Sequence, residues 1–357
     1  MRVLHLLQSF HFSGAENVAC QIIRMFSEDS DIEMAYCSQD GEIRDALLER
    51  GIKFYPMTKL NISEVKRVIK EYKPDIIHAH DFNAAFHAAI LCGRIPLITH
   101  VHFNDFRARK ITVKSVASLI PVLKSRNVFW VSKSAFLQYR FKSIAQNKSV
   151  VLQNIIDVDS LYKKMELDTG SYDFDVVYVG RLTYQKNPER LIKVLGKVVD
   201  KNPNLKAAII GTGDLEDKVK NLSEEMGINE NIKFLGFQYN PLKIMYDSKI
   251  MIMTSRFEGT PMCALEAQSL GLPIVSTPTD GLTEIITNGK NGFLSENDDI
   301  LSEKVCELIN NQKLQQKMSN NAMATMKILM NKANYVASIK KAYYGNKDRR
   351  PAMKSQV

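Results

Sequence analysis

The chain has 357 residues, and its 48 lysine and arginine residues outnumber 39 aspartate and glutamate residues to give a net charge of +9. Hydrophobic residues make up 45% of the sequence and charged residues 24%, which is typical of folded globular proteins and excludes an intrinsically disordered chain. At about 150 residues per domain, the length predicts two domains, each large enough to bury a core of its own.

Strands and helices alternate through the first half of the chain. Short β-rich apolar runs predict strands at residues 3–7, 33–37, 53–55, 75–79, 96–101 and 128–131. Apolar residues at helical spacing predict helices at residues 15–25, 43–50, 62–72 and 83–91. Strands separated by helices pair in parallel, so residues 1–162 are predicted to form a doubly wound α/β domain.

A second domain of the same kind follows a polar stretch, residues 163–172, that we interpret as a linker. Strands are predicted at residues 175–179, 206–210, 232–235, 250–254 and 273–276, with helices at 188–199, 215–226 and 261–270. We place this domain at residues 173–330, and we expect residues 331–357 to form a helix and tail that pack back on the first domain. Two open sheets of this type predict a ligand site in a cleft, where the carboxyl ends of their strands face each other.

The positive charge is concentrated in one segment. Residues 103–150 carry ten basic residues and a single acidic residue, Asp105, while the rest of the chain carries 38 residues of each sign. Apolar and basic residues alternate over 106–126 in the way typical of a helix lying at a lipid interface. We therefore predict that 103–150 contacts an anionic membrane peripherally; a solvated basic helix is the alternative. Aromatic residues in the segment would also suit single-stranded nucleic acid, but no nucleic-acid motif accompanies them, so nucleic acid is not expected.

The five cysteines are far apart and include no CxxC pair, which argues against a disulfide framework and a structural zinc site and favours a reducing cytoplasm. The apolar run at residues 1–7 is too short for a signal peptide, and no run reaches the roughly 18 apolar residues of a membrane span. The expected location is therefore cytoplasmic and peripheral, on the inner face of the membrane.

A helix start follows the predicted strand at 250–254. Thr260 is a suitable N-cap and Pro261 suits the first helical position. The free amides of such a helix, those of Met262 and Cys263 among them, attract phosphate. This pattern predicts a phosphate site at the carboxyl end of the strand.

Charged residues flank that helix start. Glu266 falls on its second turn, where a carboxylate can accept two hydrogen bonds from a ribose diol, and Glu258 precedes it. Arg181 and Lys186 follow another strand and can bind a diphosphate. Either glutamate alone is better explained as a solvated residue of a surface helix, but the two together favour a nucleotide ligand.

Two other cofactor-binding patterns occur in the sequence only in part. Gly211 and Gly213 follow a strand, but Glu216 occupies the third glycine position of the dinucleotide fingerprint, so no dinucleotide cofactor is predicted. His78 with His80, and likewise the pair at residues 100 and 102, could place imidazoles on one face for a metal. No carboxylate partner pattern accompanies them, so no metal and no cofactor is expected.

The segments 178–187 (YVGRLTYQKN) and 255–294 resemble the donor-binding segments of retaining nucleotide-sugar glycosyltransferases of family 4. Ser13 to Glu16 resembles the family's glycine-rich first loop, and residues 73–80 resemble its fourth-strand segment. The resemblance covers nearly the whole chain and is most specific in the C-terminal half. It implies the GT-B fold, two doubly wound parallel-sheet domains facing each other across a cleft.

The resemblance also implies residue roles. Arg181 and Lys186 would bind the donor diphosphate, Glu266 the ribose and Glu258 the transferred sugar, and Gly14 would let the first loop approach the phosphates. The family reacts on the donor's front face without a protein nucleophile, with the leaving phosphate assisting deprotonation of the acceptor.

The resemblance further implies that residues 1–162 bind the acceptor and residues 173–330 the nucleotide sugar. It places a histidine at the end of the 96–101 strand, near the acceptor and the reacting sugar. We take it to be His102, with His100 as the competing register. The hinge departs from the family pattern, because Ile155 stands where a glycine is common.

The function implied is a hexosyltransferase reaction. A hexose or N-acetylhexosamine would pass from a nucleotide diphosphate sugar, expected to be a UDP sugar, to a lipid-linked or growing glycan in cell-surface polysaccharide biosynthesis. The alternatives are a GT-B sugar-nucleotide epimerase and, third, a metal-dependent hydrolase that uses the histidine pairs.

Overall fold

A computed structural model of the chain describes residues 1–12, 14–102 and 110–345. The chain divides into two compact units, of which the first comprises Met1–Asn154 together with the segment that begins at Lys332, and the second comprises Ile155–Asn331. The chain passes between them at Asn154 and Ile155, ahead of the boundary placed at residues 162–173.

Each unit is built on a parallel sheet. In the described residues, the strands of the first unit are β1 (Arg2–Leu6), β2 (Glu33–Gln39), β3 (Phe54–Met57), β4 (Ile76–His80), β5 (Leu97–Val101), β6 (Asn127–Trp130) and β7 (Ser149–Val151). Those of the second are β8 (Val176–Val179), β9 (Ala207–Ile210), β10 (Ile232–Gly236), β11 (Ile250–Met253), β12 (Ile274–Ser276) and β13 (Gly292–Leu294). The strand orders are β3-β2-β1-β4-β5-β6-β7 and β10-β9-β8-β11-β12-β13.

Helices connect the strands. The first unit contains α1 (Gly14–Met25), α2 (Ile43–Leu48), α3 (Ile62–Tyr72), α4 (Asp81–Leu91), α5 (Val113–Ala117), α6 (Leu119–Lys124), α7 (Lys133–Gln138) and α8 (Lys142–Ala145). The second contains α9 (Val158–Glu166), α10 (Pro188–Val199), α11 (Glu216–Glu225), α12 (Leu242–Asp247), α13 (Met262–Ser269), α14 (Asp280–Thr283), α15 (Asp298–Asn310) and α16 (Gln312–Leu329). The last helix, α17 (Lys332–Tyr344), belongs to the first unit. Gln146–Lys148 and Asn229–Asn231 form single turns of 3-10 helix.

Local chemistry explains where several helices start and end. Asn61 caps α3 by accepting a hydrogen bond from the Glu64 amide, and Lys73 ends that helix in the left-handed conformation before a proline. Asp157 caps α9 in the same way, by accepting from the Ser160 amide. Helix α10 begins with Pro188, whose fixed φ suits the first helical position.

In each sheet the order in which successive strands are added reverses direction once, between β1 and β4 in the first unit and between β8 and β11 in the second. Ligands of doubly wound sheets bind outside the carboxyl ends of the strands at such a reversal. The predicted fold class, two doubly wound parallel-sheet α/β domains, is confirmed.

Three local predictions were wrong. The stretch expected to be a linker, residues 163–172, begins inside α9: residues 163–166 belong to a helix that buries Leu161 and Met165, and only residues 167–172 lie outside the helices and strands. The edge strands β7 and β13 were not predicted, since three residues are too few to show a period. The single helix expected over 106–126 is two short helices, α5 and α6, in its described part, while 106–109 lies outside the described residues.

No helix in the described parts of the chain has both the length and the apolar character needed to cross a membrane. The five cysteines all lie in those parts, and none of them forms a disulfide bond there.

Candidate active site

Lys186 and Glu258 form an ion pair where the loops after β8 and β11 meet. The Lys186 Nζ atom lies 2.6 Å from Glu258 Oε1, and the Ser255 hydroxyl donates to the same oxygen at 2.6 Å. The side chains of Lys186 and Glu258 are only 13% and 5% exposed. Burial lowers the pKa of Lys186, but the charge and hydrogen bond of Glu258 together with the Cys263 thiol outweigh it, so that pKa is raised overall. The Lys186 side chain is therefore a cation at a position with little access to solvent.

Arg256 fastens the two loops together. Its guanidinium donates to the Tyr184 carbonyl at 3.1 Å and to Asn187 Oδ1 at 2.8 Å, and it lies 4.4 Å from the centre of the Tyr184 ring. The Gln185 side chain donates to the Phe257 carbonyl at 3.1 Å. Asn187 adopts a left-handed φ of 53° at the turn. These contacts fix the loop of Lys186 relative to the loop of Glu258.

Glycines let the loop backbones approach closely. A Cβ atom on Gly281 would lie 1.1 Å from the Gly259 carbonyl oxygen, and one on Gly211 would lie 2.1 Å from the Gly180 oxygen. Gly211 also has φ +128°, a conformation that favours glycine. The loop after β12 is thus packed directly against the loop that carries Glu258.

Helix α13 starts one residue later than predicted. Pro261, not Thr260, is its N-cap, and its carbonyl accepts from the Ala264 amide at 3.1 Å. Thr260 is buried ahead of the helix, and the extended residue that precedes the first turn is Pro261, whose side chain makes no capping hydrogen bond. Met262 and Cys263 remain the first two helical residues, so their amides belong to the first turn, whose N–H groups have no intrahelical acceptor.

The other predicted residues surround this helix start. Burial raises the pKa of Glu266, and the charge of Lys164 partly opposes that rise. Burial also raises the pKa of the Cys263 thiol, to about 12. The charges of Lys186, Glu258 and Glu266 all act on that thiol, and the charge of Arg181 acts on Lys186. The structure therefore brings Arg181, Lys186, Glu258, Cys263 and Glu266 together in the second unit. Arg181 is exposed and Glu266 half-buried.

Gly14 lies in the first unit. It is the first residue of α1 and is exposed, and a Cβ atom there would have open space around it, with no described residue outside its own helix turn and chain neighbours within 4 Å. Ser13 lies outside the described residues.

The first unit gathers five of the seven histidines at the carboxyl ends of β1, β4 and β5: His5, His78, His80, His100 and His102. In the sheet register, His5 pairs with His78 and His80 pairs with His100. Burial lowers the pKa of all five, to about 3 for His5 and His102. His102 follows the end of β5 and is half-buried, whereas His100 is fully buried within it.

Neutral imidazoles are metal ligands, and two triads of this cluster have the spacing for one. The ligand nitrogens of His5, His78 and His80, and those of His80, His100 and His102, lie within 4.8 Å of one another. In the structure several of these nitrogens are instead bonded to each other: His80 bonds through both ring nitrogens, to His5 Nδ1 and to His102 Nε2, and His78 Nε2 lies 3.3 Å from His100 Nδ1.

Two family models match the chain. Residues 163–325 match "Glycosyl transferases group 1" and residues 12–160 match "Glycosyltransferase Family 4". An uncharacterized glycosyltransferase of Methanocaldococcus jannaschii is 30% identical over 275 residues, which cover 70% of each chain. This chain belongs to glycosyltransferase family 4. The predicted resemblance is confirmed, and the protein is an enzyme that transfers a glycosyl group.

The glycosyltransferase has further relatives of known structure or name. UDP-Gal:alpha-D-GlcNAc-diphosphoundecaprenol alpha-1,3-galactosyltransferase of Escherichia coli is 26% identical over 331 residues, which cover 84% of this chain and 85% of that one. Anabaena Alr3699/HepE, solved in complex with UDP and glucose, superposes with a TM-score of 0.83 at 22% identity and covers 96% of this chain and 99% of its own. This likeness shows the GT-B fold.

Two residues of the glycosyltransferase's site region were missed. Arg256 lies inside a segment that resembles the family, but a lone arginine carries no motif and its partners lie 69 and 72 residues away. Asp81 has a left-handed φ of 65°, and its carboxylate accepts the His102 backbone N–H at 2.9 Å. Neither contact has a signal in the sequence.

Proposed function

We propose that this glycosyltransferase moves a hexose or N-acetylhexosamine, with retention of configuration, from a UDP sugar to a lipid-linked or growing glycan in cell-surface polysaccharide synthesis. The observation that carries the proposal is the nearly buried Lys186–Glu258 pair beside the start of α13, at the strand reversal of the second sheet. The cation suits a diphosphate and the carboxylate suits sugar hydroxyls. The names of the E. coli relative and of the Anabaena complex support UDP as the nucleotide.

Negative charge grows on the diphosphate as the glycosidic bond breaks. Arg181, Lys186 and the first amides of α13, those of Met262 and Cys263, are the groups available to stabilise it, each charge-assisted bond contributing about 1.5–3 kcal/mol. Glu266 binds the ribose. In this proposal the cations and the helix terminus do what a divalent ion does elsewhere, so no metal or other cofactor takes part.

The bond from the anomeric carbon to the phosphate oxygen breaks, and the acceptor oxygen bonds to the same face of that carbon. The acceptor proton passes to the leaving phosphate. We assign His102 to the reacting sugar and Gly14 to the approach of the first loop to the phosphates. Glu258 binds hydroxyls of the transferred sugar, which then replace its contact with Lys186.

A transfer assay tests the proposal. UDP sugars would be incubated with a polyprenyl-diphosphate-linked sugar, and the anomeric configuration of the product read by NMR. We expect an α-linked product from an α-linked donor, UDP release only when acceptor is present, and an unchanged rate in EDTA. Inverted product, loss of activity in EDTA, or interconversion of UDP sugars without acceptor would each contradict it.

A binding experiment isolates the donor site. UDP should raise the melting temperature of the wild type, and Glu266→Ala should abolish that rise. Glu224→Ala, at an exposed position on α11, is the matched control and should preserve it. A retained rise in Glu266→Ala would remove the ribose role.

We also propose that the basic segment, defined as residues 103–150, contacts the anionic membrane that carries the acceptor. In its described part, large apolar side chains are exposed beside exposed Lys114 and Lys124, and these apolar residues are Ile111, Val113, Val116, Ile120 and Leu123. Apolar and basic side chains together favour an interfacial position, each cation contributing about 1 kcal/mol near anionic lipid.

Vesicle co-sedimentation tests this contact. We expect binding to vesicles that contain phosphatidylglycerol at low salt, and little binding to phosphatidylcholine alone. Val113 is 89% exposed and Leu48, on α2, is 76% exposed. Val113→Glu should weaken binding and Leu48→Glu should not. Absence of binding at low salt, or equal effects of the two variants, would refute the contact.

A further inference from the structure

Three of the clustered histidines form a hydrogen-bonded chain that ends at His102. His5 Nδ1 lies 2.9 Å from His80 Nε2, and His80 Nδ1 lies 2.7 Å from His102 Nε2. The ring planes of the two pairs differ by 29° and 17°. The two end atoms, His5 Nε2 and His102 Nδ1, are buried and have no hydrogen-bond partner among the residues that the structure describes.

The protons of this chain can be counted. Each ring is neutral, because burial keeps the pKa of all three below the usual histidine value, so each carries one N–H. Two of the three N–H groups lie in the two N···N hydrogen bonds. The third N–H must therefore sit at one end of the chain, either on His5 Nε2 or on His102 Nδ1.

The two ends differ in depth. His5 is fully buried inside β1, whereas His102 lies beyond the end of β5 and is half-buried. Buried N–H groups without an acceptor are rarer than buried acceptors without a donor. The lone pair is therefore on His5 Nε2, and the proton is on His102 Nδ1.

We infer that His5 and His80 are positioning residues that fix the proton of His102 on Nδ1. His5 Nδ1–H donates to His80 Nε2, His80 Nδ1–H donates to His102 Nε2, and His102 Nδ1–H is left without an acceptor among the described residues. Asp81 holds the same residue from the other side, by accepting its backbone N–H. His102 is thus a hydrogen-bond donor and not a base.

The consequence for catalysis rests on the proposed function, whereas the position of the proton does not. In a reaction whose leaving phosphate takes the acceptor proton, a histidine near the sugar has no proton to abstract. A fixed N–H can instead bind an oxygen of the sugar or its acceptor, so losing the chain should lower kcat with little change in KM for the donor.

NMR of the full chain labelled with 15N-histidine tests the proton position without any assay. The His102 signals would be assigned by their absence in His102→Gln. We expect the proton on Nδ1 and a lone pair on Nε2. A proton on Nε2 would reverse the chain and overturn the inference, and so would a stoichiometric transition metal in the purified protein, because it would occupy the nitrogen lone pairs.

Variants test the positioning role. His80→Phe removes both hydrogen bonds, and His78→Phe, on the same strand and equally buried, lies outside the chain. His80→Phe should leave His102 as a mixture of tautomers and lower kcat by about ten- to a hundredfold, the range seen when an outer-shell partner of a metal-ligating histidine is lost. His78→Phe should leave the His102 tautomer unchanged. An unchanged tautomer in His80→Phe would show that no such chain operates.

A second pair of variants covers the case in which His80→Phe does not fold. His5→Asn keeps a side-chain N–H near the position of Nδ1, and His5→Leu removes it. We expect His5→Asn to retain the His102 tautomer and most of kcat, and His5→Leu to lose both. Equal behaviour of the two would contradict the role of His5. If no glycosyl transfer is found at all, the NMR result still decides the inference.

Discussion

Lys186 and Glu258 depend on each other because both are nearly buried. Removing one partner leaves a charge in a poorly solvated position, which typically costs about 3–5 kcal/mol. We expect Lys186→Met to lower the melting temperature strongly and the double variant Lys186→Met, Glu258→Gln to recover much of the loss. Calorimetry of the wild type, the two single variants and the double variant gives the coupling free energy between the two side chains, expected at about 1–3 kcal/mol. Additive effects would show that the pair contributes nothing beyond its separate members.

We expect Glu266 to make donor binding sensitive to pH. Burial raises the pKa of its carboxyl, so the group gains a proton at a higher pH than the usual value of about 4.3. A neutral carboxyl accepts fewer hydrogen bonds from a ribose, so the wild-type affinity for a UDP sugar should fall as the pH falls through the raised pKa. Calorimetric titration should show this fall in the wild type and in Glu224→Gln, and a weak, flat affinity in Glu266→Gln. Parallel curves for wild type and Glu266→Gln would assign the titration to another group.

The residues of the proposed donor site are expected individually from the sequence, but their contacts could not be predicted. Arg181, Lys186, Glu258 and Glu266 follow strands or start helices, and that position is visible in the sequence. The bond between Lys186 and Glu258 joins residues 72 positions apart and depends on the strand order, which brings β8 beside β11. The Thr260 cap was mispredicted because Pro261, whose N–H is absent, serves as the last extended residue before the helix.

Long elements were predictable because they repeat a pattern, while short ones depend on their neighbours. Helix α3 has the predicted bounds, and its apolar residues Val65, Val68 and Tyr72 recur on one buried face. The edge strands β7 and β13 exist only through pairing with β6 and β12. The break between α5 and α6 falls at Ser118, whose hydroxyl bonds to Tyr139 at 2.8 Å, a contact with no local signal.

Loop packing around the donor site can be tested at Gly281. Its Cβ would collide with the Gly259 backbone, whereas a Cβ on Gly196, inside α10, would meet only the mobile end of the Met226 side chain. Gly281→Ala should displace the loop that carries Glu258 and abolish the UDP-induced rise in melting temperature. Gly196→Ala should keep that rise, since alanine in a helix interior is favoured over glycine by up to about 1 kcal/mol. Normal UDP binding by Gly281→Ala would show that the loops move apart easily.

The strand ends that carry the histidines should make the first unit sensitive to acid. Burial depresses the folded-state pKa of His5, His78, His80, His100 and His102 below the unfolded value of about 6.5. Above that value the unfolded chain binds no extra protons, and below it each histidine costs about 1.4 kcal/mol of stability per pH unit.

Trp130 is the single tryptophan and is buried in β6, so its fluorescence reports unfolding of the first unit. Urea titrations followed in this way should show stability falling as the pH drops from neutrality. The slope in His78→Phe should be smaller than in the wild type by about 1.4 kcal/mol per pH unit. Identical slopes would mean that His78 gains its proton without unfolding.

At the scale of the whole chain, the last helix returns to complete the first unit. Tyr343 on α17 is buried, and its hydroxyl lies 2.7 Å from His78 Nδ1. Arg126 donates to the Tyr343 carbonyl at 2.6 Å, so the end of the helix is held by a residue of the basic segment. The stability of the first unit therefore depends on residues that follow the entire second unit in the sequence.

Tyr343 and Tyr344 test this dependence as neighbours of opposite burial, since Tyr344 is 44% exposed. Truncating a buried aromatic side chain typically costs about 3–5 kcal/mol, and truncating an exposed one less than about 0.5 kcal/mol. Tyr343→Ala should shift the urea midpoint of Trp130 fluorescence strongly downward, and Tyr344→Ala should leave it nearly unchanged. UDP binding should persist in both, because the residues that we assign to the nucleotide's ribose and diphosphate, Gly14 apart, lie in the second unit. Equal urea midpoints for the two variants would show that α17 adds little to the stability of the first unit. Loss of UDP binding in Tyr343→Ala would show that UDP binding requires the first unit to be intact.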